Sequence, residues 1–183
     1  MDKTQLIQQA YEVCKVLEDD GTFPNNPNLP VLVYKGAFLL HPKDETAAIK
    51  NVFEGNGWTN SWEDGIYDYH HYHSITHEVL AVFCGTADLQ LGGPHGVCVE
   101  VIRGDVIIIP AGVAHKSLKS SEDFVVVGAY PDGKEYDMKY GKEGERPTAI
   151  ENIAGVPLPA KDPVYGDAGM MKETWLSKPA TEV

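Results

Sequence analysis

The sequence has no apolar run near the roughly 20 residues that cross a bilayer, so no membrane partner is expected. Cysteine is scarce. Cys14, Cys84 and Cys98 form no CxxC pair and are too few for a disulfide framework, so they read as reduced, buried thiols of a cytoplasmic protein. Basic residues are few as well: 15 Lys and Arg stand against 27 Asp and Glu, a net charge of -12. A surface of that sign repels phosphate backbones and anionic lipid, which argues against nucleic-acid binding. Internal repeats and low-complexity tracts are missing too. The opening MDKTQLIQQAYEV has neither the apolar core nor the small-residue cleavage site of a secretory signal.

What is present suits one folded domain: 183 residues, of which 43% are hydrophobic. Leu6, Ile7, Ala10, Tyr11, Cys14 and Leu17 recur at helical spacing. They predict a helix over 3–19, with Asp2 and Gln5 as a capping box and Gly21 as the stop. Pro30 to Leu40 reads as a strand, and Thr46 to Phe53 as a short helix capped near Asp44 and ended around Gly55-Asn56-Gly57. From Trp58 onward short β-rich segments alternate with glycine turns: roughly 65–73, 78–84, 87–91, 97–102, 106–109, 115–118 and 124–129. Many short strands at close spacing point to an all-β sandwich or barrel. Three regions are expected: 1–57 packing on the barrel, 58–130 as barrel core, and 131–183 as a C-terminal arm whose last ten residues fray.

The chemistry concentrates in His70-His71-Tyr72-His73-Ser74-Ile75-Thr76-His77-Glu78. In a strand, alternate side chains share a face. His71 and His73 then point one way together with Tyr67 and Tyr69, while His70 and Tyr72 point the other. On the next strand Glu78 shares its face with Leu80, Val82 and Cys84, which puts the carboxylate at the open end of an apolar interior. In Gly104-Asp105-Val106-Ile107-Ile108-Ile109-Pro110-Ala111-Gly112-Val113-Ala114-His115, two turns bracket an apolar strand and return His115 to the same mouth. Neutral imidazoles with a carboxylate suit one divalent ion such as Fe, Mn, Ni or Zn. Burying these polar groups unsatisfied would cost several kcal/mol. A metalloprotease reading fails, because the order His73-xxx-His77-Glu78 is not HExxH.

These two segments resemble the cupin motifs. The first runs Gly65, five residues, His71-Tyr72-His73, four residues, Glu78, six residues, Gly85; the second runs Gly104, five residues, Pro110-Ala111-Gly112, two residues, His115. The asparagine usual three residues further on is replaced by Lys119, which shares the parity of His115 and could face a substrate anion. The resemblance covers about a third of the chain, and the wider text is similar to small, functionally uncharacterised bacterial cupins. It implies a double-stranded β-helix, a jelly-roll barrel, here with an N-terminal helix and an extended C-terminal arm. It also implies metal ligation by His71, His73, Glu78 and His115.

Three functions fit such a protein. The first is a metal-dependent enzyme on a small organic molecule, with oxygenase ranked first and isomerase next, and with Tyr67 and Tyr69 as candidate catalytic groups. The second is a non-catalytic small-ligand or metal-binding protein. The third is a metal-free sugar-nucleotide epimerase, which would need a His–Asp base and a Tyr acid. Trp58, Trp62 and Tyr130 are candidates for the pocket rim. The partner expected is a small-molecule ligand or substrate, and the resemblance implies a homodimer.

Overall fold

Strands dominate because β-branched and aromatic residues alternate with polar ones between glycine turns. The computed structural model describes residues 5–177. In chain order its elements are β1 (Tyr11–Lys15), β2 (Val31–Lys35), α1 (Thr46–Gly55), β3 (Trp58–Asp64), β4 (Glu78–Cys84), β5 (Thr86–Leu91), β6 (Val97–Ile102), β7 (Val106–Ile109), β8 (His115–Ser120), β9 (Val125–Pro131), α2 (Arg146–Gly155) and α3 (Met170–Thr174). They form two antiparallel sheets, one in the order β1-β2-β7-β4-β9-β3 and one in the order β6-β5-β8. This is the jelly-roll architecture that the motifs implied. None of the described helices is long and apolar enough to cross a membrane.

Strand alternation divides the core in two. Leu80 and Val82 of β4 and Ile107 and Ile109 of β7 face the barrel interior, where they meet Val33, Leu89, Leu91 and Val101. Val79, Ala81, Val106 and Ile108 face the other way, against Ile49 and Phe53 of α1 and Met171 and Trp175 of the arm. β7 is therefore buried on both faces, which is why it reads as an unbroken apolar run. Glu78 has the parity of Leu80 and so belongs to the interior.

Among the described residues the N-terminal helix is not formed. Residues 5–10 are extended apart from an isolated bridge between Ile7 and Phe38, and β1 pairs with β2 from Tyr11 to Lys15. Leu6, Ile7 and Ala10 pack on the core, but Tyr11 is 75% exposed and Cys14 is also exposed, so the apolar stripe has no common surface to cover. β2 is buried and hydrophobic from Val31 to Tyr34 and would otherwise leave an open edge, and a ladder along it outweighs a weak helical preference. Residues 3 and 4 and the expected cap Asp2 lie outside the described residues, as do 178–183 of the tail expected to fray. The arm is not wholly extended, since α2 and α3 lie within it. α1 starts at Thr46 behind the N-cap Glu45, beside Asp44, and ends at Gly55 with Asn56 as C-cap, in the expected stop. The thiols are not buried: Cys14 and Cys98 are exposed and Cys84 is intermediate, because β1 and β6 turn their outer faces to solvent.

The expected strand over 65–73 is irregular chain with single bridges at His71 and Tyr72. The ladder lies one segment earlier, in β3, an edge strand whose polar sequence WTNSWED hides it. Two glycines fix the turns around β7. Gly104 (φ +95°) would put a Cβ 2.5 Å from the Phe38 carbonyl oxygen, and Gly112 (φ +92°) would put one 2.4 Å from that of Asn25.

Candidate metal centre

The loop before β4 and the start of β8 are zipped together at the site. His71 and His115 pair as antiparallel partners: the His115 amide donates to the His71 carbonyl at 2.9 Å and the His71 amide returns the bond at 3.3 Å. The Gly112 amide donates to the His73 carbonyl at 2.8 Å, so the turn of the second segment is tied directly to the first. The result is a buried group of three histidines, with ligand atoms of His71, His73 and His115 all within 4.8 Å of one another. Such a group could hold a metal ion.

The tautomers are set by the backbone. His71 Nδ1 lies 3.1 Å from the Tyr69 carbonyl oxygen, His73 Nδ1 2.6 Å from that of Asp137, and His115 Nδ1 3.0 Å from that of Val113. A carbonyl oxygen can only accept, so each Nδ1 carries a proton and Nε2 is the ring atom left to face the centre. These bonds fix each ring's orientation, as the outer hydrogen bond of a metal-binding imidazole does. Asp137 is itself anchored, its carboxylate accepting the Ser74 amide at 2.7 Å and the Ser74 hydroxyl.

Glu78 sits beneath these rings, 3% exposed. Its Oε2 lies 3.5 Å from His73 Nε2 and its Oε1 3.3 Å from His115 Nε2. Burial opposes the carboxylate's charge, but His73 and His115 together outweigh burial and hold the group well below the usual carboxylate range. Burial likewise disfavours a charged His73, yet the Glu78 carboxylate and the Asp137 carbonyl outweigh it and raise its affinity for a proton. Burial, helped by the neighbouring His115, pushes His71 down to about 3, so this ring is neutral at neutral pH. No lysine or arginine reaches the cluster to balance Glu78 among the described residues. A buried carboxylate with three imidazole Nε2 atoms around it and no lysine or arginine nearby fits a divalent cation in both donor type and charge.

A cavity of about 330 Å³ opens over the cluster, with Leu80 as apolar floor. Trp62 and Tyr130 line it, and the Trp62 indole N–H donates to the Tyr130 hydroxyl at 2.8 Å. Trp62 lies flat across Gly128, where a Cβ would come within 2.3 Å of the indole. Burial first, and then Glu78, push the Tyr130 phenol far up, so it stays protonated beside the carboxylate. Trp58 is not at the rim; it is 1% exposed and its indole donates to the Lys161 carbonyl.

Of the two tyrosines with the expected parity, Tyr67 lines the cavity, edge-on to His71 with centroids 5.3 Å apart. Tyr69 lies outside it, stacked on Tyr67 at 4.9 Å, and supplies its carbonyl to His71. Lys119 projects from β8 opposite Asp88 and does not line the cavity. His70 turns away to pack on Phe23, and His77 accepts the Ala111 amide through Nδ1 at 2.9 Å on the outer face. Sequence reasoning missed Tyr136, Met138 and the Asp137 carbonyl, all from the arm, and no spacing signal marks them. No aspartate side chain accepts from any of the three rings, so the His–Asp pair of the metal-free chemistry is not assembled among the described residues.

No family model matches the sequence. The protein YjlB of Bacillus subtilis (strain 168), described as uncharacterised, is 44% identical over 158 residues, covering 86% of this chain and 93% of its own length. Among solved structures, an acireductone dioxygenase from Bacillus anthracis, with a cadmium ion in its active centre, is 16% identical; the match covers 73% of this chain and 85% of that one, with a TM-score of 0.40. A vicilin from Solanum melongena is 27% identical over 44% of this chain, with a TM-score of 0.35, and the match spans 24% of the vicilin's length.

Proposed function

Given that the chain belongs to the family of Bacillus subtilis YjlB and has the cupin fold, we propose that it is a metal-dependent enzyme acting on a small organic molecule. The ion is held by His71, His73, Glu78 and His115. One observation carries this reading: three buried imidazoles, each with Nδ1 tied to a backbone carbonyl, turn their Nε2 atoms toward one another under a cavity. A divalent ion bound there supplies Lewis acidity to a coordinated substrate oxygen. Oxygenase chemistry ranks first, because three nitrogen donors and one carboxylate suit Fe(II), and isomerase chemistry follows.

The chain's own groups do the rest. The three carbonyls hold the rings in one tautomer, so no reorganisation precedes binding. The apolar floor at Leu80 keeps bulk water from behind the site. Tyr130, braced by Trp62, keeps its proton beside Glu78. Assembly as a homodimer belongs to the same proposal. Its support is the edge strand β1, which carries exposed Tyr11 and Val13, and light scattering tests it.

The test of function is anaerobic loading with Fe(II), Mn(II), Ni(II) or Zn(II), elemental analysis, and turnover across diols, diketones and thiols with oxygen uptake recorded. About one equivalent of metal and metal-dependent turnover are expected. Metal uptake with ligand-induced stabilisation but no turnover would make the protein a binding module, and failure to take up any metal would overturn the site itself.

A further inference from the structure

Among the described residues, no lysine or arginine side chain lines the cavity over the histidines. Its wall includes Trp62, Glu63, Asp64, Tyr67, Tyr130 and Tyr136. Glu63 is engaged from outside by Lys50. Asp64 accepts only the neighbouring Gly65 amide, at 2.7 Å, and pairs with no cation among the described residues.

The aromatic wall has two sides. Tyr136 stacks on Tyr130 with centroids 5.3 Å apart and planes 24° apart, while Tyr67 stacks on Tyr69 at 18°. Tyr136 is 47% exposed and Tyr67 54% exposed. These two are held firm by their stacking partners while staying open to solvent at the cavity.

Each feature discriminates by charge in the same direction. An aromatic face attracts a cation through its quadrupole and does nothing comparable for a neutral group. An unpaired carboxylate at the mouth attracts a cation and repels an anion. The protein's net charge of -12 steers cations inward and anions away. We propose that the substrate of this site is a small organic cation, an alkylammonium compound whose charged head lies between Asp64 and the tyrosine faces while an oxygen reaches the histidine centre. The oxygen contact rests on the metal reading above. The charge preference does not, because the carboxylate and the rings are in place without an ion.

The test compares choline with its neutral isostere, in which a tert-butyl group replaces trimethylammonium. Both carry the same hydroxyl, so any metal contact cancels in the ratio. Dissociation constants are read by NMR titration on zinc-loaded and chelator-treated protein, with metal content measured on the same samples. Choline is expected to bind at least tenfold more tightly. Asp64→Asn and Tyr136→Leu, both at accessible positions, should each cut that ratio at least threefold by weakening choline alone. A wild-type ratio near one, tighter binding of the isostere, saturable binding of neither probe, or a ratio unmoved by both variants would overturn the proposal. A sample that takes up no zinc yet prefers choline would refute the metal reading and sustain the cation class.

Discussion

Replacing His115 by alanine should remove metal-dependent stabilisation while leaving the fold in place. An ion that binds only the folded state at a concentration 1,000 times its dissociation constant adds about 4.1 kcal/mol. In a domain of 150–250 residues each kcal/mol moves the melting temperature by about 2–4 °C, so the wild-type protein should gain about 8–16 °C on metal addition. Losing a hydrogen-bond partner of a ligand weakens binding about 10–100-fold, so losing the ligand itself is set here at about 10³-fold. The same concentration then equals the dissociation constant, and the gain falls to about 0.4 kcal/mol, or 1–2 °C. His115 is 2% exposed and its ring centroid lies 4.1 Å from that of His71, so truncation also loosens the metal-free form. For that reason the quantity to compare is each protein's own increment with and without metal, read by differential scanning calorimetry beside elemental analysis. His70→Ala is the control. Its ring packs on Phe23, away from the cluster, and it should keep the full increment. A full increment in His115→Ala, or its loss in His70→Ala, would refute the reasoning.

Gly128→Ala should force the Trp62 indole off the sheet, since a Cβ there would lie 2.3 Å from Trp62 Cε2. A loss of about 1–3 kcal/mol in urea unfolding, with a shift in tryptophan emission, is expected, and unchanged emission would count against the packing. Asp137→Ala removes the acceptor that holds Ser74 and loosens the carbonyl that holds His73. It should weaken metal binding about 10–100-fold by calorimetric titration without unfolding the protein. The third prediction concerns acid. Burial pushes His77 down to about 4 from the ordinary 6.5, so between these values the unfolded chain binds the proton that the folded one refuses. Stability is then full above about pH 6.5 and falls as the pH drops toward 4, by about 3 kcal/mol for this group. His77→Asn keeps an acceptor for the Ala111 amide and should flatten that slope in urea melts at pH 7 and pH 4.5. An unchanged slope would place the acid sensitivity elsewhere.

The residues that meet at the site were legible in the sequence because strand alternation has a fixed period. Glu78 inherits the interior face from Leu80 and Val82, and the glycine turns around β7 return His115 to the histidine pair. Even where the segment holding His71 and His73 proved irregular, the fixed pairing of His71 with His115 kept both rings on the common centre.

The local sequence could not decide what depends on a distant partner. Residues 6–17 carry a helical period, yet the backbone of Tyr11–Lys15 goes to the open edge of β2, because pairing that edge satisfies donors that a short helix would leave exposed. β3 is hidden for the converse reason: an edge strand has one wet side, and its polar residues mask the ladder it makes with β9. The cavity's character is tertiary too. Tyr136 and the Asp137 carbonyl reach it from the arm, more than 60 residues along the chain from His73. Sequence by itself determined which side chains could hold an ion, since that follows from residue type and a period of two. Only the tertiary structure decided the ring tautomers and the charge of the wall, since those depend on which backbone and which arm happen to lie alongside.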